Sequence, residues 1–171
     1  MPYFHYQSKK IYYRETGFGK PLVMLHGDTA SSVMFEFLLP LYQESFRVIL
    51  MDFLGNGKSD RVEGFPENLW ITEAEQVIGL IEHLKLEKVN LLGTSGGAWV
   101  AVNTALKRPD LIDRVVADSF DGRTLHEDFA ENLLKALRTT FYRKEKWQSM
   151  IFMQDNFMNG VRAKTGKLSW I

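Results

Sequence analysis

The chain has 171 residues, 45% hydrophobic and 13% aromatic, which is enough for one substantial core and fits a single domain of about 100–200 residues. Twenty-one Lys and Arg balance twenty-one Asp and Glu, so no overall electrostatic case exists for nucleic acid or an anionic membrane as partner. Cysteine is absent, which excludes disulfides, thiolate metal sites and a Cys nucleophile, and no run approaches the ~18 apolar residues of a membrane span. With no apolar leader between Met1 and Tyr13, the expectation is a soluble, cytoplasmic protein that needs no cofactor and no metal.

Two alternating segments, Tyr3 to Gln7 and Lys10 to Glu15, predict an antiparallel hairpin joined at Ser8-Lys9, with Thr16-Gly17-Phe18-Gly19 as the next turn. Short, nearly continuous apolar runs follow at Leu22 to Leu25, Val48 to Met51 and Val89 to Leu92, with a fourth at Val115 to Ala117. Such runs fit strands of a parallel sheet covered on both faces.

Helical spacing separates them. Ile71, Ala74, Val77, Ile78, Ile81 and Leu84 mark one helix face, with Thr72 and Glu75 placed as a capping box and Glu73, Glu75, Gln76 and Glu82 as the polar side. A second helix after Gly97 is expected to bury Ala98, Ala101, Val102, Ala105 and Leu106 until Pro109 stops it, with Lys107 and Arg108 at its negative end. Strands alternating with helices predict an α/β fold. Past Ser119, Phe129, Leu133, Leu137 and Phe141 predict a helix, and Trp147 to Met158 is apolar-rich. We therefore divide the chain into a core of residues 1–121 and a helical, cap-like segment and tail of residues 122–171. The excess of Lys and Arg over residues 138–167 reads as a solvated face, because a charge run alone specifies no ligand.

Chemistry concentrates at Gly93-Thr94-Ser95-Gly96-Gly97, which directly follows a predicted strand and precedes a predicted helix. A serine on such a tight turn needs small neighbours, here Gly93 and Gly97, and its hydroxyl then emerges at the carboxyl edge of the sheet. The N–H of Gly96, at the helix N-terminus, is placed to face an oxyanion.

Upstream, Leu25-His26-Gly27-Asp28 follows an apolar strand, and Asp52-Phe53-Leu54-Gly55-Asn56-Gly57-Lys58-Ser59 follows the next. In this order and spacing the chain resembles the α/β-hydrolase family, in its serine hydrolase branch, over about residues 3 to 119. The resemblance implies a mostly parallel sheet with an N-terminal antiparallel hairpin and flanking helices. It also implies Ser95 as nucleophile and the N–H groups of Gly96 and of Asp28, or in second place Thr29, as oxyanion-hole donors, with His26, Gly27, Gly93 and Gly97 as structural members of the motifs. A serine in this place speaks against the haloalkane dehalogenase and epoxide hydrolase branches, which carry Asp there. The expected partner is a small-molecule ester or amide. Gly57-Lys58-Ser59 also matches the end of a phosphate-binding P-loop, but Asp52 stands where that pattern needs Gly, and Gly64 and Pro66 follow instead of a helix.

The family's order is serine, acid, then histidine, and the late strands that carry the last two are not visible before Ile171. Asp118, at the end of the fourth apolar run, is a candidate acid by analogy, and Asp121 reads as a loop residue. Of the histidines, His5 and His83 precede Ser95 and read as packing residues, whereas His126 alone satisfies the chain order. The expectation is a truncated hydrolase, impaired alone, whose unpaired final strand offers an edge for homo-oligomerisation. The competing expectation is a non-catalytic binding or structural fragment. Phe152, Met153, Phe157 and Met158 read as the buried face of a cap helix.

Overall fold

In the strand segments Leu22 to Leu25 and Val48 to Met51 successive side chains enter two different cores, which is why both segments are apolar throughout. Val23 and Leu25, with Ile49 and Met51, pack on one side against Ala74, Val77, Leu80, Ile81, Val100 and Ala101. Leu22 and Met24, with Val48 and Leu50, pack on the other against Phe35 and Leu39. This period of two, buried on both faces, makes the sheet the middle layer of three.

A computed structural model describes residues 3–120 of the chain, which divides into two units, Met1–Asp121 and Gly122–Ile171. The strands are β1 (Tyr3–Tyr6), β2 (Lys9–Thr16), β3 (Lys20–Leu25), β4 (Phe46–Met51), β5 (Val89–Thr94) and β6 (Ile112–Asp118). Their order in the sheet is β1-β2-β4-β3-β5-β6, with β1 and β2 antiparallel and β3 to β6 parallel. The sheet is thus the mostly parallel one expected, with its antiparallel hairpin at one edge. That hairpin turns at Gln7-Ser8, one residue earlier than the expected Ser8-Lys9, and Gln7 takes a positive φ of 55° there. A 3-10 segment (Ser32–Leu38) and a short helix α1 (Leu39–Tyr42) follow β3, and the sequence pattern did not indicate them.

Helix α2 (Leu69–His83) begins before the expected capping box. Asn68 is its N-cap, and the Thr72 hydroxyl sits one turn in, donating to Asn68 O and Oδ1 at 3.4 Å. Thr72 and Glu75 therefore cap nothing; Glu75 pairs instead with Lys107 at 2.6 Å. The buried face is also rotated from the expected one: Glu73 and Gln76, assigned to the polar side, are buried, whereas Ile71 is 39% exposed. Gln76 is satisfied through its side-chain oxygen, which accepts the Leu54 N–H at 3.0 Å.

Helix α3 (Gly96–Lys107) buries Gly96, Gly97, Ala98, Val100, Ala101 and Thr104, leaving Leu106 exposed against expectation. It must approach the sheet at its glycine-rich end and lie beside α2, so small residues and Thr104, bonded to Val100 O, fill the contact. Lys107 and Arg108 tie α3 to α2 through Glu75 and Glu82. The segments expected at Phe129 to Phe141 and Trp147 to Met158, with Phe152, Met153, Phe157 and Met158, and the residues Asp121 and His126, lie outside the described residues. No helix among the described residues is long and apolar enough to cross a membrane.

Candidate active site

The parallel register sets β3, β5 and β6 level, pairing Leu25 with Gly93, Gly93 with Ala117 and Thr94 with Asp118. The segments leaving these strands, His26-Gly27-Asp28, Ser95-Gly96 and Ser119, therefore emerge together at the carboxyl edge. Helices α2 and α3 both start at that edge, as crossover helices must, so Trp70 and Trp99 come together there. Their rings stack with centroids 5.2 Å apart and planes 7° from parallel.

Ser95 adopts φ 54° and ψ −121°, a conformation that a non-glycine residue holds only under constraint. The constraint is steric and comes from its neighbours. A Cβ on Gly93 would run into the Gly97 carbonyl, and one on Gly97 into the carbonyls of Leu25 and His26. The Ser95 N–H donates to Asp118 O at 3.0 Å and Ala98 N–H returns to Ser95 O at 2.9 Å, pinning the turn at both ends. Ser95 is exposed, and its hydroxyl makes no hydrogen bond among the described residues.

Gly27 lies directly against this serine: a Cβ there would stand 3.2 Å from Ser95 Cβ and 3.7 Å from Oγ. The next N–H, that of Asp28, has no acceptor among the described residues. Gly96 opens α3, so its N–H has no intrahelical acceptor either. Two unclaimed N–H groups thus belong to the residues flanking the hydroxyl, the arrangement an oxyanion hole requires. The Asp28 carboxylate itself lies over Gly96, where it accepts the Trp70 indole N–H at 3.1 Å.

His26 is 2% exposed and fully engaged, donating from Nδ1 to Gly27 O at 2.8 Å and accepting the Phe53 N–H at Nε2, 3.1 Å away. Burial holds its imidazole below the ordinary pKa, against the opposing pull of the Gly27 carbonyl and of Asp52 and Asp28. It staples the turn after β3 to the turn after β4. His83 stacks on Phe4 at the far end of α2, and His5 is on the edge strand β1; neither is at the serine's edge. Asp118 is at that edge, but its carboxylate accepts the Thr94 hydroxyl at 2.8 Å.

The Asp52 loop is closed on itself. The Asp52 carboxylate accepts the N–H groups of Ser32 at 2.7 Å and Lys58 at 2.8 Å, and Ser59 Oγ donates to Asp52 O. The Lys58 ammonium lies over the Tyr12 ring, 4.8 Å from its centroid. No helix starts at Lys58, and its N–H and ammonium, which a phosphate would need, are engaged by Asp52 and Tyr12.

Glu73 is the residue here that sequence reasoning misplaced. It is 4% exposed and makes no hydrogen bond or ion pair among the described residues. Burial, with the charge of Asp28 adding to it, pushes its carboxyl up to about 8. Trp70, Trp99 and Glu73 carried no local signal, since two tryptophans 29 residues apart meet only through the crossover.

A family model described as alpha/beta hydrolase fold matches residues 20–162. The chain belongs to the α/β-hydrolase family. It is 38% identical over 108 residues to the 2-(acetamidomethylene)succinate hydrolase of Mesorhizobium japonicum, covering 63% of this chain and 38% of that protein. It is 31% identical over 108 residues to haloalkane dehalogenase 2 of Mycobacterium tuberculosis, covering 63% of this chain and 37% of that one. Among solved structures, an E-2-(acetamidomethylene)succinate hydrolase aligns with TM-score 0.65 at 34% identity, covering 76% of this chain and 47% of that chain. A thermophilic esterase from Thermogutta terrifontis aligns with TM-score 0.68 at 27% identity, covering 81% and 50%. The relatives are hydrolases of several kinds, and this α/β-hydrolase chain spans roughly two-fifths of the length of the curated ones: 38% and 37% of the two named.

Proposed function

We propose that the chain is the nucleophile-bearing part of a serine hydrolase acting on a carboxylic ester, thioester or amide. The observation that carries this reading is the Ser95 turn: an exposed hydroxyl, held at positive φ by backbone contacts, beside the unclaimed N–H groups of Asp28 and Gly96. In the reaction Oγ attacks the carbonyl carbon and the displaced electron pair becomes an oxyanion facing those two donors. Collapse expels the alcohol, thiol or amine with the proton that Oγ gave up, leaving an acyl-serine that water then cleaves.

Oγ must lose its proton to a base, and His26 cannot serve because both ring nitrogens are engaged inside the fold. The base on this reading comes from outside residues 3–120, and Asp118 is the candidate acid that orients it. A serine nucleophile also favours acyl transfer over the dehalogenase and epoxide hydrolase chemistries named among the relatives. The 171-residue chain is therefore expected to be weakly active at most.

A fluorophosphonate probe tests this directly. Slow, stoichiometric labelling of Ser95, located by peptide mass spectrometry and lost in Ser95→Ala, is the expected result, with labelling unchanged in His126→Ala. The second reading, a binding fragment, draws on the absence of any base beside Ser95 among the described residues. Complete lack of labelling at Ser95 would support it and overturn the first.

A further inference from the structure

A cavity of about 420 Å³ is lined in part by Asp28, whose carboxylate lies over Gly96, together with Glu67, Trp70, Trp99 and Asn103. Its size falls in the range of small-molecule sites. Among the described residues the lining holds two carboxylates and two stacked indoles, and no Lys, Arg or His. We propose that this cavity receives an organic ammonium group carried by the substrate, so that the enzyme prefers a cationic ester or amide to its neutral isostere. The proposal rests on the Ser95 reading above and names the substrate class for it.

Asp28 is the specificity-determining residue. Its carboxylate lies over Gly96, the residue whose N–H faces the developing oxyanion, while Trp70 satisfies only one of its oxygens. It forms no ion pair among the described residues. A negative charge there opposes an oxyanion forming on a neutral substrate. An ammonium group in the cavity reverses that penalty, because it pairs with Asp28 at the moment the oxyanion appears. The substrate then supplies the charge that the site lacks.

Burial, and after it the Asp28 charge, hold the Glu73 carboxyl protonated into the neutral range, so Asp28 is the acid there that stays charged. The stacked indoles add the other half of the recognition, since tryptophan faces and edges accept alkylammonium groups that are costly to strip of water elsewhere.

Titration of the Ser95→Ala chain by tryptophan fluorescence tests the cavity without needing catalysis. The probes are choline and the isosteric neutral alcohol in which carbon replaces nitrogen. Choline should bind about tenfold more tightly than the alcohol, the factor expected of one partly desolvated cation contact. Asp28→Asn keeps the side-chain shape and the backbone N–H, and should reduce the discrimination to about twofold or less. Trp70→Phe, which keeps Asp28, should weaken choline and leave the alcohol nearly unchanged. Equal binding of the two probes, or discrimination that survives Asp28→Asn, overturns the proposal. Failure of fluorophosphonate labelling with intact choline discrimination would instead overturn the nucleophile and leave the cavity standing.

Discussion

Two glycine-rich turns leave the sheet at the same edge, one after β4 and one after β5, and they are held by different forces. The Asp52 turn is a hydrogen-bond structure: one buried carboxylate gathers the N–H groups of Ser32 and Lys58, and Ser59 Oγ closes the loop onto Asp52 O while accepting the Tyr12 N–H at 2.9 Å. The Ser95 turn is a steric structure, with glycines at 93 and 97 pressed against carbonyls and almost no side-chain bonds. A turn held by bonds has no group left to react. A turn held by contact leaves its side chain and its first helical N–H groups unspent, which is what chemistry on an acyl group needs.

The sharpest break in this contrast is a methyl group. Gly97→Ala would drive Cβ into the backbone of Leu25 and His26, which cannot move aside as a side chain can, and the loss is expected to exceed ~3 kcal/mol. The check is chemical denaturation, where a midpoint within experimental error of the parent would contradict steric holding.

Glu73 gives the next effect, through pH. Its folded pKa is raised from 4.5 to about 8, so over that window the folded state keeps a proton that the unfolded chain releases. Stability therefore falls as the pH rises from about 4.5 to 8, on the order of a few kcal/mol in all. Glu73→Gln should flatten that slope in urea titrations at pH 5, 6, 7 and 8, and parallel slopes in the two proteins would refute it. His26 works in the other direction: its lowered pKa makes stability fall as the pH drops below 6.5, in both proteins alike.

Asp52→Ala leaves the buried Ser32 N–H and the partly buried Lys58 N–H without their acceptor and should cost about 2 kcal/mol, while leaving fluorophosphonate labelling of Ser95 in place. Loss of labelling in a folded Asp52→Ala protein would show that the two turns are not independent. The smallest effect is the most diagnostic. Ser95→Gly relieves the positive φ and should raise stability by about 1 kcal/mol, whereas Ser95→Ala, with its Cβ retained, should not. Equal midpoints for the two variants would mean that the serine turn stores no strain.

Much of this molecule could be read from its sequence. The central strands were legible because burial on both faces leaves no polar positions, and the serine turn because glycine on both sides of a strand-to-helix junction has a local steric cause. The packing of the helices was less legible. Thr72 and Glu75 have the spacing of a capping box, yet α2 starts one turn earlier because Asn68 accepts the Ile71 and Thr72 N–H groups. Glu73 and Gln76 look like solvent-facing residues, yet Gln76 is needed by Leu54 and Glu73 is enclosed beside Asp28.

The sequence by itself determined an apolar α/β core and a strand-to-helix turn carrying Ser95 between Gly93 and Gly97, because those requirements are met by residues close together in the chain; the register of β3 against β5 then brings Asp28 to the same edge. Only the tertiary structure decided that β4 inserts between β2 and β3, that His26 is locked between Gly27 and Phe53, and that Trp70 and Trp99 stack beside two acids. Each of those depends on partners brought from distant parts of the chain, and a hydrogen bond or a ring contact leaves no periodicity in the sequence to announce it.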